Sequence, residues 1–313
     1  MPDSITSNKK YIVAIAGPTA SGKSGLALQL AHLLQADIFS ADSRQIYKEI
    51  SIGTAKPTKE ELMSVTHHFI DFLDIEKPYT AGQFAADLTV SLENYFQNHQ
   101  IAILVGGTGL YFKAFLQGFD ELPDVDPKIN DRLKQQYRES GIEYLQNLLQ
   151  HSDPEYYFQA DIQNPHRLIR ALGVTLTSGK PFSSFLKQNP KKNTQNFDVI
   201  GIILDPPREI LYEAINQRVD NMINAGLENE AKKMYPFKEL QALQTVGYKE
   251  FFDYFDGKLT KDETINLIKQ NSRRYAKRQV TWFKKYGVGT RFDSLNHETI
   301  IKHIQDIIQQ CLV

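Results

Sequence analysis

The chain has 313 residues; 41% of them are hydrophobic, 23% are charged, and the formal net charge is −1. This globular composition excludes a disordered, collagen-like or low-complexity protein, and the apolar runs are too short for a membrane-spanning helix. The single cysteine, Cys311, excludes a disulfide framework and a cysteine-built zinc site. Because the N-terminal residues do not resemble a cleaved secretory signal, we expect a cytoplasmic protein with no membrane partner.

Strands and helices are expected to alternate in the first third of the chain. Tyr11–Ala16 is a short continuous apolar run, as expected for a strand that is buried on both faces. A loop at 17–24 and a leucine-rich helix follow. Further along we predict a strand at Asp37–Ala41, a helix at Phe84–Phe96 and a strand at Ile101–Val105. This alternation predicts an α/β fold with a parallel sheet flanked by helices.

The middle of the chain has a different pattern. Residues 119–196 show helical periodicity without a convincing buried strand, and we interpret them as a helical insertion domain. The flanking segments 1–118 and 197–313 would together form the α/β core. In the second of these segments, a buried strand is predicted at Val199–Leu204, and the rest, to about Phe283, is predicted to be mostly helical.

Charge is segregated along the chain. Residues 162–197 contain six Lys or Arg and no acid, and residues 264–292 contain eight Lys or Arg and no acid. Residues 119–161, in contrast, contain ten acids and four bases. The two basic stretches fit either solvated helix faces or a divided binding surface for a polyanion such as nucleic acid.

The sequence GPTASGKS at 17–24 matches the phosphate-binding pattern G-x-x-x-x-G-K-[ST] between a predicted strand and a predicted helix. In such a P-loop, backbone N–H groups surround phosphate oxygens, Lys23 adds a positive charge, and the Ser24 hydroxyl can bind magnesium. The strand at 101–105 does not end in the Asp that ATP hydrolysis usually requires. We therefore predict a P-loop NTPase-like sheet with a diphosphate site. The loop residues are Gly17, Pro18, Thr19, Ala20, Ser21, Gly22, Lys23 and Ser24.

Three other residues are candidates for chemistry. Asp42, in SADSRQIY at 40–47, follows a strand end, where it could be a general base or a turn cap. Arg218 lies on an otherwise apolar helix stripe, where it could pair with a buried acid or bind an anionic ligand. Thr108 follows two glycines at a strand end, where it could contact a ligand or cap a helix.

The predicted helix at 264–283 separates an apolar side from a basic side. The basic side fits a solvated face, while Trp282 offers a surface on which a nucleic-acid base could stack. The pair His67 and His68 has no spaced carboxylates around it, so we interpret it as structural rather than as a metal site.

Eight motifs, in order, make the chain resemble the bacterial tRNA dimethylallyltransferases, also called tRNA isopentenyltransferases. The resemblance extends from about Ile12 to Phe283, and the zinc-finger extension of the eukaryotic relatives is absent. The motifs are GPTASGKS (17–24), SADSRQIY (40–47), IGTAKP (52–57), VGGTGLYFKA (105–114), NPHRLIRAL (164–172), REILYEAINQRVDNM (208–222), VGYKE (246–250) and KRQVTWF (277–283).

This resemblance implies transfer of a dimethylallyl group from its diphosphate to the exocyclic amine of the adenosine 3′-adjacent to the anticodon, with release of diphosphate. The P-loop would hold the diphosphate of the donor, so the absence of a hydrolytic Asp is expected. By resemblance, Asp42 would be the general base, and Thr108 and Arg218 would contact the reacting groups and the departing diphosphate. Magnesium, bound through Ser24, would be the cofactor.

The implied partners are dimethylallyl diphosphate and a tRNA, and we expect the protein to be a monomer. The residues expected to contact tRNA are Asp42, Ser43, Arg44, Gln45, Thr108, His166, Arg167, Leu168, Ile169, Arg170, Gly247, Tyr248, Lys249, Arg273, Lys277, Arg278, Gln279 and Trp282.

Three other functions share some of these features. A small-molecule or nucleotide kinase has the same P-loop and sheet, but it turns over ATP and does not need segregated basic stretches. An adenylate prenyltransferase uses the same donor with a free nucleotide as acceptor. A nucleotide-gated RNA-binding protein would bind RNA without forming a product.

Overall fold

The computed structural model of the chain describes residues 9–120, 122–186, 197–293 and 296–312, and the side chains of 311 and 312 are excepted. The chain folds as two compact units. One comprises Met1–Phe115 together with Thr194–Val313, and the other comprises Leu116–Asn193. The second unit overlaps the insertion domain predicted at 119–196. The basic residues Lys187, Lys191 and Lys192 of the first basic stretch lie outside the described residues.

One parallel sheet organises the first unit, in the order β3-β2-β4-β1-β5-β6. All of β1 is buried, which confirms the interpretation of its apolar run. β3 and β6 were not predicted, because two or three residues are too few to form an apolar run. The strands are β1 (Tyr11–Ala16), β2 (Ile38–Ser40), β3 (His67–His68), β4 (Ile101–Gly106), β5 (Asp198–Leu204) and β6 (Thr290–Phe292).

Helices flank this sheet and also form the second unit, which contains α5, α6 and α7. Among the described residues, no helix is long and apolar enough to cross a membrane. The helices are α1 (Lys23–Leu34), α2 (Lys59–Ser64), α3 (Ala81–Tyr95), α4 (Gly109–Gln117), α5 (Pro127–Ser152), α6 (Pro154–Gln159), α7 (Pro165–Ser178), α8 (Arg208–Asn224), α9 (Leu227–Met234), α10 (Tyr248–Phe255), α11 (Lys261–Tyr286) and α12 (His297–Leu312).

The P-loop helix α1 belongs to a core on one face of the sheet. Leu26 and Leu30 of α1 are fully buried there with Val13 of β1. Ile300 and Ile304 of α12 complete this core. α12 lies beyond the region that the family motifs cover, and it was not predicted. Its packing helps to hold the helix that follows the predicted P-loop.

The second unit has its own apolar core, formed by α5 and α7 together with the segment that follows α7. Leu168 is fully buried and Ile169 is 8% exposed in that core. These two residues were expected to contact tRNA, and that expectation was wrong because their side chains hold α7 in place. In contrast, His166, Arg167 and Arg170 are exposed on the same helix. Asn164 begins α7, since its Oδ1 accepts hydrogen bonds from the backbone N–H groups of 166 and 167.

The IGTAKP motif (52–57) and the preceding Ser51 form a loop, called the 51–57 loop, that packs against the start of α10. Tyr248 is fully buried, and a Cβ added to Gly53 would lie 2.6 Å from its ring. The Tyr248 hydroxyl donates a hydrogen bond to Glu230 of α9 at 2.5 Å. Because the ring is enclosed and its hydroxyl is bonded, it cannot move aside. Only glycine therefore fits at position 53.

Replacing Gly53 with alanine should lower the free energy of unfolding by about 1–3 kcal/mol, because the added methyl group overpacks the buried Tyr248 ring. The matched control is Gly82→Ala on the exposed first turn of α3, where the nearest atom to a new Cβ is 3.9 Å away. That change should stabilise the protein by up to roughly 0.5 kcal/mol. Urea unfolding measures both, and equal midpoints for the two variants would contradict the contact.

Candidate functional site

Several loops at the carboxyl ends of the strands form one cavity in the first unit. The P-loop follows β1, Asp42 follows β2, and Gly106 and Gly107 end β4. In parallel sheets this edge is where ligands bind. The cavity has a volume of about 650 Å³, and residues of α8, α11 and the 51–57 loop form its remaining walls. It is large enough for a small organic phosphate together with part of a second substrate.

The P-loop lies between β1 and α1, as predicted. Its last glycine, Gly22, adopts a left-handed conformation (φ 83°), and α1 begins directly after it at Lys23. The Lys23 ammonium donates a hydrogen bond to the Pro18 carbonyl at 2.5 Å. It is thus held by its own loop. Ser24 is exposed on the first turn of α1 and lines the cavity.

Lys23 and Arg218 place two positive charges in the cavity. The pKa of Lys23 is lowered to about 7, chiefly by burial and also by the nearby Arg218 charge, while Asp42 partly opposes both effects. Burial also lowers the pKa of Arg218, and Asp42 again opposes the change. In the described part of the chain Arg218 forms no ion pair within 4.0 Å. The cavity therefore holds positive charge in excess, which favours an anionic ligand over a buried structural pair.

Asp42 combines the two roles that its position suggested. Its Oδ1 accepts a hydrogen bond from the Arg44 backbone N–H at 2.8 Å, which is a turn interaction. The carboxylate also lines the cavity with Lys23 and Arg218. The described residues give its second oxygen, Oδ2, no hydrogen-bond donor. One oxygen thus fixes the orientation of the carboxylate, and the other is available to a substrate.

Thr108 holds the turn that carries Asp42. Its Oγ1 accepts a hydrogen bond from the Ser43 backbone N–H at 2.9 Å and donates to the Ser43 hydroxyl at 3.3 Å. The preceding Gly106 allows a close approach, since a Cβ there would lie 2.1 Å from the Ala41 carbonyl oxygen. Gly106 thus lets the neighbouring backbone at Ala41 come close. The two contacts join β4 to the Asp42 turn.

Gln279 was expected to contact tRNA, but its amide is already committed inside the protein. Its Oε1 accepts a hydrogen bond from the Thr19 backbone N–H at 2.9 Å, and its Nε2 donates to the Gly107 carbonyl at 2.8 Å. The residue is only 7% exposed. We therefore correct its role: Gln279 connects the P-loop to the end of β4. Its place on the apolar side of the predicted helix was the signal for burial.

Three further residues of the expected tRNA surface are buried or hydrogen-bonded within the protein. Gln45 donates from Nε2 to the carbonyls of Thr54 (3.3 Å) and Ala55 (3.1 Å), and its Oε1 accepts from the Ser40 hydroxyl (3.0 Å). Tyr248 is fully buried, as described above, and Gly247 beside it is buried too. The amide of Gln45 and the hydroxyl of Tyr248 therefore join parts of the protein, and neither is free for RNA.

Other expected contacts remain accessible. Arg44 lines the cavity, and its buried Nε has no hydrogen-bond partner among the described residues. Arg273 donates to Asn216 at 2.6 Å, which joins α11 to α8. Trp282 is half-buried and lies against Gly109, where a Cβ would be 2.3 Å from the indole ring. Among the expected tRNA contacts of the first unit, three residues are exposed: Lys249, Lys277 and Arg278.

The side-chain oxygens that line the cavity are suited to magnesium that is bound together with a substrate phosphate. Among the described residues there is no group of three His, Cys, Asp or Glu that could hold a metal by itself. Mg²⁺ in phosphate sites commonly takes one or two protein oxygens and completes its shell with phosphate oxygens and water. The exposed Ser24 hydroxyl at the P-loop supplies one such oxygen. His68 Nε2 lies 2.8 Å from Asp37 Oδ2, and His67 Nδ1 lies 2.9 Å from the Val65 carbonyl oxygen.

Comparison with known proteins identifies close relatives. A sequence model described as IPP transferase matches residues 45–286. A curated tRNA dimethylallyltransferase from Christiangramia forsetii is 52% identical over 275 residues, which are 88% of this chain and 90% of the relative. The crystal structure of the tRNA isopentenylpyrophosphate transferase from Bacillus halodurans is 35% identical, with a TM-score of 0.70 and 97% of both chains covered.

A eukaryotic dimethylallyltransferase studied while acting on tRNA has a higher TM-score, 0.80, at 26% identity. The match covers 96% of this chain and 80% of the eukaryotic one. The parallel sheet and its flanking helices are therefore shared with enzymes of both bacteria and eukaryotes. This confirms the predicted fold class.

Replacing Gln279 with leucine should leave the Thr19 N–H and the Gly107 carbonyl without partners, at a cost of about 2–4 kcal/mol of unfolding free energy. Binding of inorganic pyrophosphate should weaken as the P-loop loses its restraint. Lys277→Leu, two residues away on the exposed side of α11, is the control and should unfold like the wild type. If Gln279 only contacted tRNA, the Gln279→Leu variant would unfold in urea and bind pyrophosphate like the wild type.

Proposed function

The chain belongs to the IPP transferase family, and we propose that it transfers a dimethylallyl group from dimethylallyl diphosphate to the exocyclic amine of the adenosine 3′-adjacent to the anticodon of tRNA. Diphosphate is the second product. Prenyl transfer to tRNA is supported by the names of relatives that match most of the chain. The observation that carries the finer proposal is the pair of cations, Lys23 and Arg218, beside the carboxylate of Asp42.

The two cations fit the leaving group. Breaking the C–O bond of an allylic diphosphate puts negative charge on the diphosphate, and its loss leaves a delocalised allylic cation. Lys23, Arg218 and the N–H groups at the start of α1 stabilise that negative charge as it develops. Because these groups are held by α1 and α8, they need little reorganisation during the reaction. Electrostatic stabilisation of this kind is usually the largest contribution to rate.

Asp42 fits the proton acceptor. The adenine amine is a weak nucleophile, since its lone pair is delocalised into the ring. As the new N–C bond forms, the nitrogen becomes positive and must lose a proton, which Asp42 accepts at Oδ2. The bond from Oδ1 to the Arg44 N–H keeps the carboxylate oriented while this happens. The target base must leave its stack to reach the cavity, as for other enzymes that act on a base.

Magnesium is proposed as the cofactor, with Ser24 as its protein ligand and the diphosphate as its other one. When bound, it would add positive charge at the leaving oxygens. The exposed basic residues would contact tRNA phosphates: His166, Arg167 and Arg170 in the second unit, and Lys277 and Arg278 in the first. We further propose a monomer that acts on tRNA in the cytoplasm.

A label-transfer assay tests this function. The protein is mixed with magnesium, dimethylallyl diphosphate labelled in its carbon skeleton, and unmodified tRNA; parallel reactions contain AMP or ATP instead. Label in tRNA alone supports the proposal, and mapping should place it on the adenosine next to the anticodon. Label in the free nucleotide would assign an adenylate prenyltransferase. If no label moves and ATP is turned over, the cavity is that of a kinase.

Replacing Asp42 with asparagine should reduce transfer by about 100-fold or more, the range expected for loss of a general base. Asparagine keeps an oxygen that can accept from the Arg44 N–H, so the turn and the affinity for tRNA should be preserved. Single-turnover transfer and filter binding of tRNA measure the two properties. Asp74→Asn, which alters a half-exposed ion pair with Lys48, is the control. Wild-type transfer by Asp42→Asn would exclude a base role.

Pyrophosphate binding should weaken as the pH rises above about 7. The pKa of Lys23 in the free protein is lowered to about 7 by burial and by Arg218. Below this pH the ammonium is present and attracts the anion; above it the anion must bind together with a proton, which costs up to about tenfold in affinity per pH unit. Titration calorimetry at pH 6–9 measures the trend.

Lys23→Met is the control for this pH dependence, because it retains the ionisation of pyrophosphate itself and removes that of the lysine. The variant should bind more weakly and show a shallower pH dependence. Identical slopes in the two proteins would mean that Lys23 does not titrate in this range.

A further inference from the structure

Glu230 of α9 makes contacts that no role in the proposed chemistry explains. Its Oε2 accepts hydrogen bonds from the backbone N–H groups of Ser51 and Ile52, each at 2.9 Å. Its Oε1 accepts from the Gly53 N–H at 2.9 Å and from the Tyr248 hydroxyl at 2.5 Å. Three consecutive amides and a hydroxyl thus converge on one carboxylate.

This arrangement requires an ionised carboxylate. All four partners are donors, so both oxygens of the side chain must act as acceptors. A glutamine would turn an NH₂ group towards at least one N–H, where two donors would face each other. Hydrogen bonds to a charged acceptor are also roughly twice as strong as neutral ones. Glu230 therefore restrains the 51–53 backbone to a degree that an uncharged residue of the same shape could not match.

The restrained loop forms a wall of the cavity. Gly53, Thr54 and Ala55 line the same space as Lys23 and Asp42. Ala55 has a positive φ of 45°, a conformation that costs a non-glycine residue roughly 1–3 kcal/mol and persists only when its surroundings enforce it. The loop is therefore not in a relaxed conformation. It needs restraints at both ends.

The other restraint leads to Asp42. Gln45 donates to the carbonyls of Thr54 and Ala55, and its Oε1 accepts from the Ser40 hydroxyl. Ser40 precedes Asp42 by two residues and Gln45 follows it by three. A displacement of the 51–57 loop would therefore act on both sides of the proposed base.

We propose that Glu230 is a positioning residue for prenyl transfer, which fixes the 51–57 loop and, through Gln45, the orientation of Asp42. This inference rests on the proposed function. Glu230 touches neither substrate in this scheme; it acts through the loop. Because no hydrogen bond found among the described residues joins the loop to the P-loop, donor binding should depend on Glu230 less than the transfer step does.

The test compares Glu230→Gln with Glu228→Gln. Glu228 lies two residues earlier on the same helix and pairs with Lys261 at 2.7 Å. Glu228→Gln therefore removes the same charge from α9 without altering a contact to the 51–57 loop. Three quantities are measured: kcat, the KM for dimethylallyl diphosphate at saturating tRNA, and hydrogen exchange of the amides at 51–53. In Glu230→Gln we expect kcat to fall about 10- to 100-fold, donor KM to change less than about threefold, and exchange to accelerate. Glu228→Gln should match the wild type.

Unchanged exchange in Glu230→Gln would overturn the restraint, and faster exchange with wild-type kcat would overturn its role in positioning. A fall in kcat that merely follows the folded fraction would also overturn it. If Glu230→Gln does not fold, Tyr248→Phe removes one donor and keeps the carboxylate; it should speed exchange and lower kcat severalfold, and wild-type kcat would again overturn the role. If the wild type transfers no label, the proposed function has failed, while the exchange result still decides the restraint.

Discussion

The site depends on two positive charges that the fold brings together and leaves unneutralised. Lys23 is fixed by the start of α1, and Arg218 by the apolar stripe of α8 around it. Burial and mutual repulsion lower the pKa of Lys23, and Asp42 offsets this only in part. The folded protein bears this cost continuously, and an anion in the cavity relieves it. The two charges are thus in place before any anion binds.

Around these charges lies a layer of neutral polar side chains that hold the loops. Gln279 joins the P-loop to β4, Thr108 joins β4 to the Asp42 turn, and Gln45 joins that turn to the 51–57 loop. Each of these side chains comes from a motif whose residues look like ligand contacts in the sequence. In the structure their polar atoms are bonded to backbone groups, so much of the motif signal reflects precise assembly of loops. Three charged residues of the same motifs line the cavity: Asp42, Arg44 and Arg278.

Features of the structure that depend on contacts between residues close in the chain could be predicted from the sequence, whereas features that depend on contacts between distant residues could not. β1, β4, β5 and the P-loop are encoded by short contiguous patterns, and the structure places them as predicted. Helix α12 and strands β3 and β6 carry no such pattern within the motifs. The burial of Gln279 could be predicted from its position on the apolar side of α11. Its partners could not, because Thr19 and Gly107 lie 260 and 172 residues away along the chain.

The packing of α12 also has a consequence for the order in which the chain folds. The apolar face of α1 is covered in part by Ile300 and Ile304, which follow every strand of the sheet in the chain and are synthesised after them. β1 likewise cannot complete its strand pairing until β5, its parallel neighbour in the second half of the chain, has been synthesised. Such distant pairings are slow to form and leave apolar surface open meanwhile. On the ribosome, the compact second unit has all its core residues before the sheet has its final strand, so the domain that interrupts the sheet can fold before it.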